Sequence, residues 1–360
     1  MIRSVELCVT YYCPQEPADA IRAPPSPPER PAAARSRPAA GLTFVTGHRQ
    51  SQARRGGLLG LLLGDALGVP YEFRPAGALP APALIDMTPP PGFARSHAGV
   101  PPGTWSDDGA QALCLAESLL ARDALDLDDF GRRLLRWRDR GHLAVDARVF
   151  DVGIQTGAAL ARLRRGMPPD RSGDTGANAN GNGSLMRVLP LALWHRGEDA
   201  ALVALARRQS LVTHGHLRAQ LCCALLSLVA RRLLQGRAAG AAWHDAADTL
   251  RALCAPDPEA SRELASQILG SPLRDAPAGS GYVVDTLWSA RQCQLRAVDF
   301  TDAVRRAVAL GDDTDTTAAV TGGLAGIVAG ESGLPPRWVG QLRGRPLADP
   351  LLDALGRLRP

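Results

Sequence analysis

The stretch GGLLGLLLGDALG, residues 56–68, decides how the rest of the chain is read. Gly56, Gly60, Gly64 and Gly68 recur every four residues and therefore share one face of a helix. A glycine inside a helix costs roughly 1 kcal/mol against alanine. Several on one face are tolerable where another helix backbone approaches closely. Residues 313–330 carry the matching pattern in Gly322, Gly326 and Gly330. Two smooth-faced helices packed near the centre of a bundle are the expectation, with surface helices that tolerate glycine as the plainer alternative.

Outward from this pair, apolar spacing of the i, i+3, i+4 kind predicts helices over 107–121, 126–138, 152–165, 184–195, 198–211, 215–235, 239–252, 258–269, 281–294, 300–310, 313–330 and 348–358. Leu217, Leu221, Leu225 and Leu226 illustrate it. Breaks fall at the Gly/Pro-rich stretches 74–104, 166–183 and 270–281. No run alternates convincingly as strands do; Tyr282-Val283-Val284 fits a helix start better. The fold class is therefore all-α, a compact multi-helix bundle whose polar loops gather at one end. Those loops are long for a helical domain, which points to functional use.

The chain has 360 residues and is 45% hydrophobic but only 4% aromatic, so Leu, Ala and Val must fill the core. All 41 basic residues are Arg, spread along the chain. Residues 1–55 hold eight Arg against four acids, most of the net charge of +5. The remainder carries no basic stripe, which speaks against nucleic acid as a partner. The seven cysteines show no C-x-x-C spacing and mostly fall in apolar helical patterns. A reducing, cytoplasmic setting is expected. No apolar run reaches membrane-spanning length, and no signal segment follows the N-terminal Met. Eight prolines over residues 14–40 predict a disordered leader covering 1–52, followed by one all-helical domain over 53–360.

Two acidic clusters open apolar helices about two hundred residues apart: Trp105-Ser106-Asp107-Asp108 and Gly311-Asp312-Asp313-Thr314-Asp315-Thr316-Thr317. Crowded carboxylates repel unless a cation offsets them. Oxygen-only donors suit Mg²⁺ or Mn²⁺. Five or six such donors from two elements could hold two cations. A structural reading also exists for the first cluster, with Ser106 as a helix cap and both Asp residues in the first turn.

Glu72 lies just past Gly68 and Pro70 and is a candidate acid/base or substrate-orienting carboxylate. Asp65, inside the glycine helix, reads as a structural group that ties down a loop. Gly181 and Gly183 bracket Asn182 ahead of a helix capped by Ser184, where backbone N–H groups could hold phosphate. An ordinary tight turn explains the same residues. Arg187 could reinforce that site or pair with an acid inside the fold. His214 and His216 could reach a substrate or satisfy loop carbonyls.

The segments GLLLGDALGVPYEF, GTWSDDGAQAL, GNGSLMRVLPLAL, THGH, GYVVDTLWSA and GDDTDTTAAVTGGLAGIVAG, taken in this order over roughly residues 53–345, resemble the ADP-ribosylglycohydrolase family. The resemblance implies an all-helical fold with the metal site at one end, two Mg²⁺ ions (Mn²⁺ as the alternative) and cleavage at the anomeric carbon of an ADP-ribosyl group. It implies metal ligation by Ser106, Asp107, Asp108, Asp313, Asp315 and Thr316, and catalytic roles for Glu72, Asp107 and Asp313. Asn182, Gly183, Ser184, Met186, His214 and Tyr282 are implied on the substrate side. Ser184 would lie at the diphosphate or ribose, and Tyr282 near the adenosine.

The implied reaction is hydrolysis of ADP-ribosyl-arginine on a protein; other linkages and small ADP-ribose derivatives are the alternative substrates. A monomer without membrane attachment is expected. One departure matters: the family motif Asp-Asp-Thr-x-Met reads Asp107-Asp108-Gly109-Ala110-Gln111 here, so a hydroxyl expected beside the metals is missing. That leaves open a homologue that binds ADP-ribose without turnover. A two-metal phosphoester hydrolase is a further alternative.

Overall fold

The computed structural model describes residues 40–359, with side chains from residue 47 onward. The expected leader, and with it Cys8 and Cys13, therefore falls mostly outside the described residues. Its last part is helix α1, which runs Ala40–Gly68 and so begins well before residue 56. Then follow α2 (Asp107–Arg122), α3 (Leu127–Arg140), α4 (Ile154–Arg164), α5 (Leu189–Trp194), α6 (Asp199–Ser210) and α7 (Leu217–Leu234). The second half comprises α8 (Ala239–Cys254), α9 (Pro258–Glu263), α10 (Val283–Arg296), α11 (Phe300–Val308), α12 (Thr314–Ala329), α13 (Pro336–Gln341) and α14 (Arg345–Gly356). Among the described residues, β pairing is limited to isolated bridges. No helix there is long and apolar enough to cross a membrane.

The glycine face of α1 packs against α12 in antiparallel register. A Cβ at Gly56 would lie 2.4 Å from the Gly326 carbonyl oxygen, one at Gly60 2.4 Å from that of Gly322, and one at Gly64 2.0 Å from that of Ala318. At Gly68 it would lie 2.4 Å from the Asp315 Cα. The two backbones thus touch along four helical turns, and the lost helix propensity is offset by that contact. The register has a consequence for chemistry. It sets the C-terminal end of α1, with Asp65 and Glu72 just beyond, against the N-terminal end of α12, with Asp313 and Asp315.

Around this pair the core is mostly Leu, Ala and Val, as the composition predicts, with Trp105, Trp137 and Trp338 fully buried. Arg54 ties α1 to the chain end by donating to the Leu358 carbonyl at 2.5 Å. One expected helix starts late, and one short helix lies where none was expected. The helix foreseen over 184–195 is helical only from Leu189, because Leu185 and Met186 N–H both turn back to the Asn182 carbonyl. The short α13 was not foreseen; six residues opened by Pro336 carry too little periodicity to register.

Candidate active site

Asp65 organises the first acidic motif. It is buried, and its carboxylate accepts from Ser106 N–H at 2.9 and 3.1 Å and from Gly109 N–H at 2.7 Å. These donors are orphan groups at the start of α2, so Asp65 caps that helix from outside. Burial pushes its carboxyl up to about 7, against the downward pull of those N–H bonds. The Ser106 hydroxyl accepts from Asp108 N–H at 3.3 Å, the capping role open to it from sequence. Gln111 donates to Asp107 Oδ2 at 2.8 Å.

The structure also answers the question raised by Gly109. A Cβ there would meet Leu62 at 2.8 Å, the Asp65 carboxylate at 2.9 Å and Trp105 at 2.9 Å. A side chain at 109 would therefore point into the α1 interface, at Asp65, and its hydroxyl would not project into the cleft. Position 109 is also absent from the cleft lining.

The second motif meets the first at the head of α12. Thr316 Oγ1 donates to Asp108 Oδ1 at 3.3 Å, joining residues that lie 208 positions apart. Asn182 Nδ2 donates to Asp313 Oδ2 at 2.7 Å and to Thr286 Oγ1 at 2.9 Å. Asp108 Oδ2 and Asp315 Oδ2 are buried without any hydrogen-bond partner. Glu72 is held alongside by a backbone strap: Phe73 N–H donates to Asp312 O at 2.7 Å, and Asp312 N–H to Arg74 O at 2.8 Å. Phe73, Asp151 and Asp312 all adopt left-handed φ, at 57°, 54° and 53°. Such strain in non-glycine residues is seldom kept without cause, and all three line the same cleft.

Two groups of potential ligands share Glu72. Glu72, Asp313 and Asp315 place carboxylate oxygens within 4.8 Å of one another, and Glu72, His97 and Asp151 do the same with a ring nitrogen included. His97 Nε2 lies 2.7 Å from Glu72 Oε2. Asp107 and Asp108 stand outside both groups, although they line the same cleft. Burial first, then mutual repulsion, holds Asp107, Asp108 and Asp315 well above the ordinary carboxylate range. Burial together with Asp151 and Asp313 pushes Glu72 up to about 11. This concentration of negative charge is what a hard cation relieves. The two orphaned carboxylate oxygens fit a cation in the same way.

Glu72, Asp107, Asp108, Asp151, Asp313 and Thr316 line a cleft of ≈ 500 Å³, a volume suited to a small-molecule or nucleotide-sized ligand. Asn182, Gly183, Met186 and His214 form part of its wall. The loop is glycine-rich for a steric reason: a Cβ at Gly183 would lie 2.8 Å from the His214 ring, and one at Gly181 2.5 Å from Gln155 Oε1. His214 is buried, and burial pulls it down to about 3, so it faces the cleft as a neutral imidazole.

Three expectations for this side do not hold in their original form. Ser184 caps no helix and lines no cleft; its hydroxyl accepts from Ser210 at 2.8 Å in the interior. The N–H groups of Gly181 and Asn182 are not free for phosphate, since they donate to Gln155 Oε1 at 2.9 Å and to Gly281 O at 3.1 Å. Tyr282 lies outside the cleft lining, with its hydroxyl accepting from Arg218 at 3.0 Å.

His97 and Asp151 were not singled out from sequence. His97 sits in the long 74–104 loop, whose length was the available signal. Asp151 lies between Phe150 and Val152, with no second acid or hydroxyl beside it that would mark it.

The model of the family described as ADP-ribosylglycohydrolase matches residues 47–360. The chain is 33% identical to ADP-ribosylarginine hydrolase Tri1 of Pseudomonas putida, over 88% of this chain and 80% of that one. It is 28% identical to the ADP-ribosyl-[dinitrogen reductase] glycohydrolase of Rhodospirillum rubrum, over 83% of this chain and 92% of that one. A solved structure titled ADP-ribosylglycohydrolase-related protein complex superposes with a TM-score of 0.67 at 35% identity, covering 87% of this chain and 99% of that one. The match spans α1 through α14 and every motif that builds the cleft, and on that ground the chain belongs to the ADP-ribosylglycohydrolase family.

Proposed function

We propose that the protein hydrolyses the bond between the anomeric carbon of ADP-ribose and an arginine side chain of a modified protein. The observation that carries this reading is the pair of orphaned oxygens, Asp108 Oδ2 and Asp315 Oδ2, buried where the two motifs meet through the Thr316–Asp108 hydrogen bond. The names of the relatives in Pseudomonas putida and Rhodospirillum rubrum favour arginine and protein as the substrate class. Asp107, Asp108, Asp313, Asp315 and Thr316, with Ser106 at the helix cap, would hold two Mg²⁺ or Mn²⁺ ions. Bound there, the ions would neutralise the carboxylates, orient ribose hydroxyls and polarise water.

The protein groups divide the remaining work. Asn182 fixes Asp313, and the Asp312–Phe73 strap fixes Glu72. With the negative charge around it offset by cations, Glu72, in hydrogen-bond contact with His97, would be ionised and would receive the proton that the attacking water loses. The water oxygen bonds to the anomeric carbon as the bond to the guanidine nitrogen breaks, and that nitrogen takes up the proton Glu72 received, which restores the carboxylate. The transition state has oxocarbenium character. Neutral His214, with Gly183 and Met186 beside it in the cleft wall, would position the diphosphate-bearing part, and that remote contact supplies binding energy. The non-catalytic alternative drew its support from Gly109, which faces Asp65 instead of the cleft. Buried free cysteines, among them Cys114, Cys222 and Cys223, are consistent with a cytoplasmic setting, and we assign a monomer.

A hydrolysis panel with arginine-, serine- and acetyl-linked ADP-ribose tests the reading. Release of ADP-ribose is expected from the arginine conjugate with Mg²⁺. It should fall by about 10²-fold or more after chelation or in Asp313→Asn. Release that ignores chelation, or no release from any arginine conjugate, contradicts it.

A further inference from the structure

Arg187 is fully buried, and the hydrogen-bond partners of its guanidinium among the described residues are Gln111 and Gln209, neither of them an acid. Nη1 donates to Gln111 Oε1 at 2.8 Å. Nε and Nη2 donate to Gln209 Oε1 and to the Gln209 carbonyl, both at 3.2 Å. The guanidinium carbon lies 5.2 Å from the centre of the Phe130 ring. Leaving a cation in such a place without an acid is costly, and proteins seldom do it without a use for the charge.

The acid is one amide away. Gln111 is itself fully buried, and its Nε2 donates to Asp107 Oδ2 at 2.8 Å. Arginine can only donate, so the Gln111 amide has a single orientation. Its oxygen faces Arg187 and its nitrogen faces Asp107. The same guanidinium also reaches the other wall of the cleft, because Gln209 Nε2 donates to the Ser184 carbonyl at 3.2 Å, next to Gly183.

We infer that Gln111 is a positioning residue that relays the buried Arg187 charge to Asp107 and so fixes that carboxylate for a divalent cation. The inference rests on the cation-binding reading of the cleft. One oxygen of Asp107 is held from behind, and the carboxylate keeps its place at the cleft wall without a cation to order it. A positive charge behind the acidic cluster also offsets part of its internal repulsion from a direction the substrate does not use.

The test is Mg²⁺ binding by calorimetry, together with thermal midpoints with and without Mg²⁺, on the full-length wild type and on Gln111→Met. Methionine keeps the length and volume of the side chain while removing both hydrogen bonds. Gln111→Met is expected to bind Mg²⁺ about 10-fold or more weakly, as for other groups that orient a ligand from outside the coordination sphere. The rise in midpoint on adding Mg²⁺ should shrink to match. A merely structural role lowers both midpoints equally and leaves the affinity alone, and that result overturns the inference while the cation site stands. A wild type that does not bind Mg²⁺ overturns both.

Should Gln111→Met fail to fold, the side-chain amide resonance of Gln111 in the wild type serves in its place. It is expected to shift during a Mg²⁺ titration, and an unmoved resonance under saturating Mg²⁺ rejects the relay.

Discussion

Asp315→Asn is expected to make the metal-free protein more stable and to abolish hydrolysis in the same stroke. Asp315 is buried, its Oδ2 has no partner, and Glu72, Asp151, Asp108 and Asp313 all push its carboxyl upward. A carboxyl held above its unfolded value binds its proton more tightly in the native state. The metal-free protein therefore loses stability as pH rises above the ordinary carboxylate range, and at neutral pH the cluster is a liability. Asparagine keeps the shape and can still accept from the Thr316 N–H through its oxygen, the bond Asp315 Oδ1 now makes at 2.9 Å. Relief of one buried, repelled carboxylate should be worth on the order of 1–3 kcal/mol. That corresponds to a rise of a few degrees in midpoint for a domain of this size. Turnover should fall at least about 10²-fold, because a group retained at the expense of stability is one that function requires. Thermal scans in chelator and in Mg²⁺ check both halves. A variant that is less stable without metal and equally responsive to Mg²⁺ would show Asp315 to be a structural residue.

Gly64→Ala should be among the most damaging single-methyl additions in the protein. Helix propensity alone predicts a gain of roughly 1 kcal/mol. The clash decides the sign: the new Cβ would lie 2.0 Å from the Ala318 carbonyl oxygen and 2.5 Å from its carbon, both backbone atoms of α12. Neither can rotate away, so the two central helices must part, at a cost of about 3 kcal/mol or more. Parting also spreads the site, since Gly68, one turn on, packs against Asp315. Gly47 provides the control within the same helix. A Cβ there meets nothing within 4 Å, so Gly47→Ala should stabilise by roughly 1 kcal/mol. Urea midpoints of the two variants measure the contrast. Similar midpoints would mean that α1 and α12 do not pack as described.

What was legible in the sequence follows from how local each signal is. The four-residue glycine period of α1 and its echo in α12 announced the central contact, because only backbone proximity explains so much lost propensity. The convergence of Asp107, Asp108, Asp313 and Thr316 on one cleft could be inferred from charge crowding at two helix starts. The capping role of Asp65 was readable for a related reason: a carboxylate inside an otherwise apolar helix has few uses besides holding backbone N–H groups. Asp151 and His97 were not readable. Each sits alone in a loop, and only tertiary packing brings them to Glu72. Ser184 and Tyr282 show the opposite failure. Their motif was visible, but side-chain direction is set by neighbours distant in sequence, Ser210 for one and Arg218 for the other. The missing hydroxyl at Gly109 carried weight only while the direction of that position was unknown.

The central claim is that two acidic motifs two hundred residues apart form one cation site in a hydrolytic cleft. Anomalous diffraction from crystals equilibrated with Mn²⁺ tests it most directly. The account predicts manganese peaks within the space bounded by Glu72, Asp107, Asp108, Asp313, Asp315 and Thr316, absent from crystals of Asp313→Asn. A cleft without a peak in well-ordered crystals at millimolar Mn²⁺, or peaks confined to surface carboxylates, would contradict it.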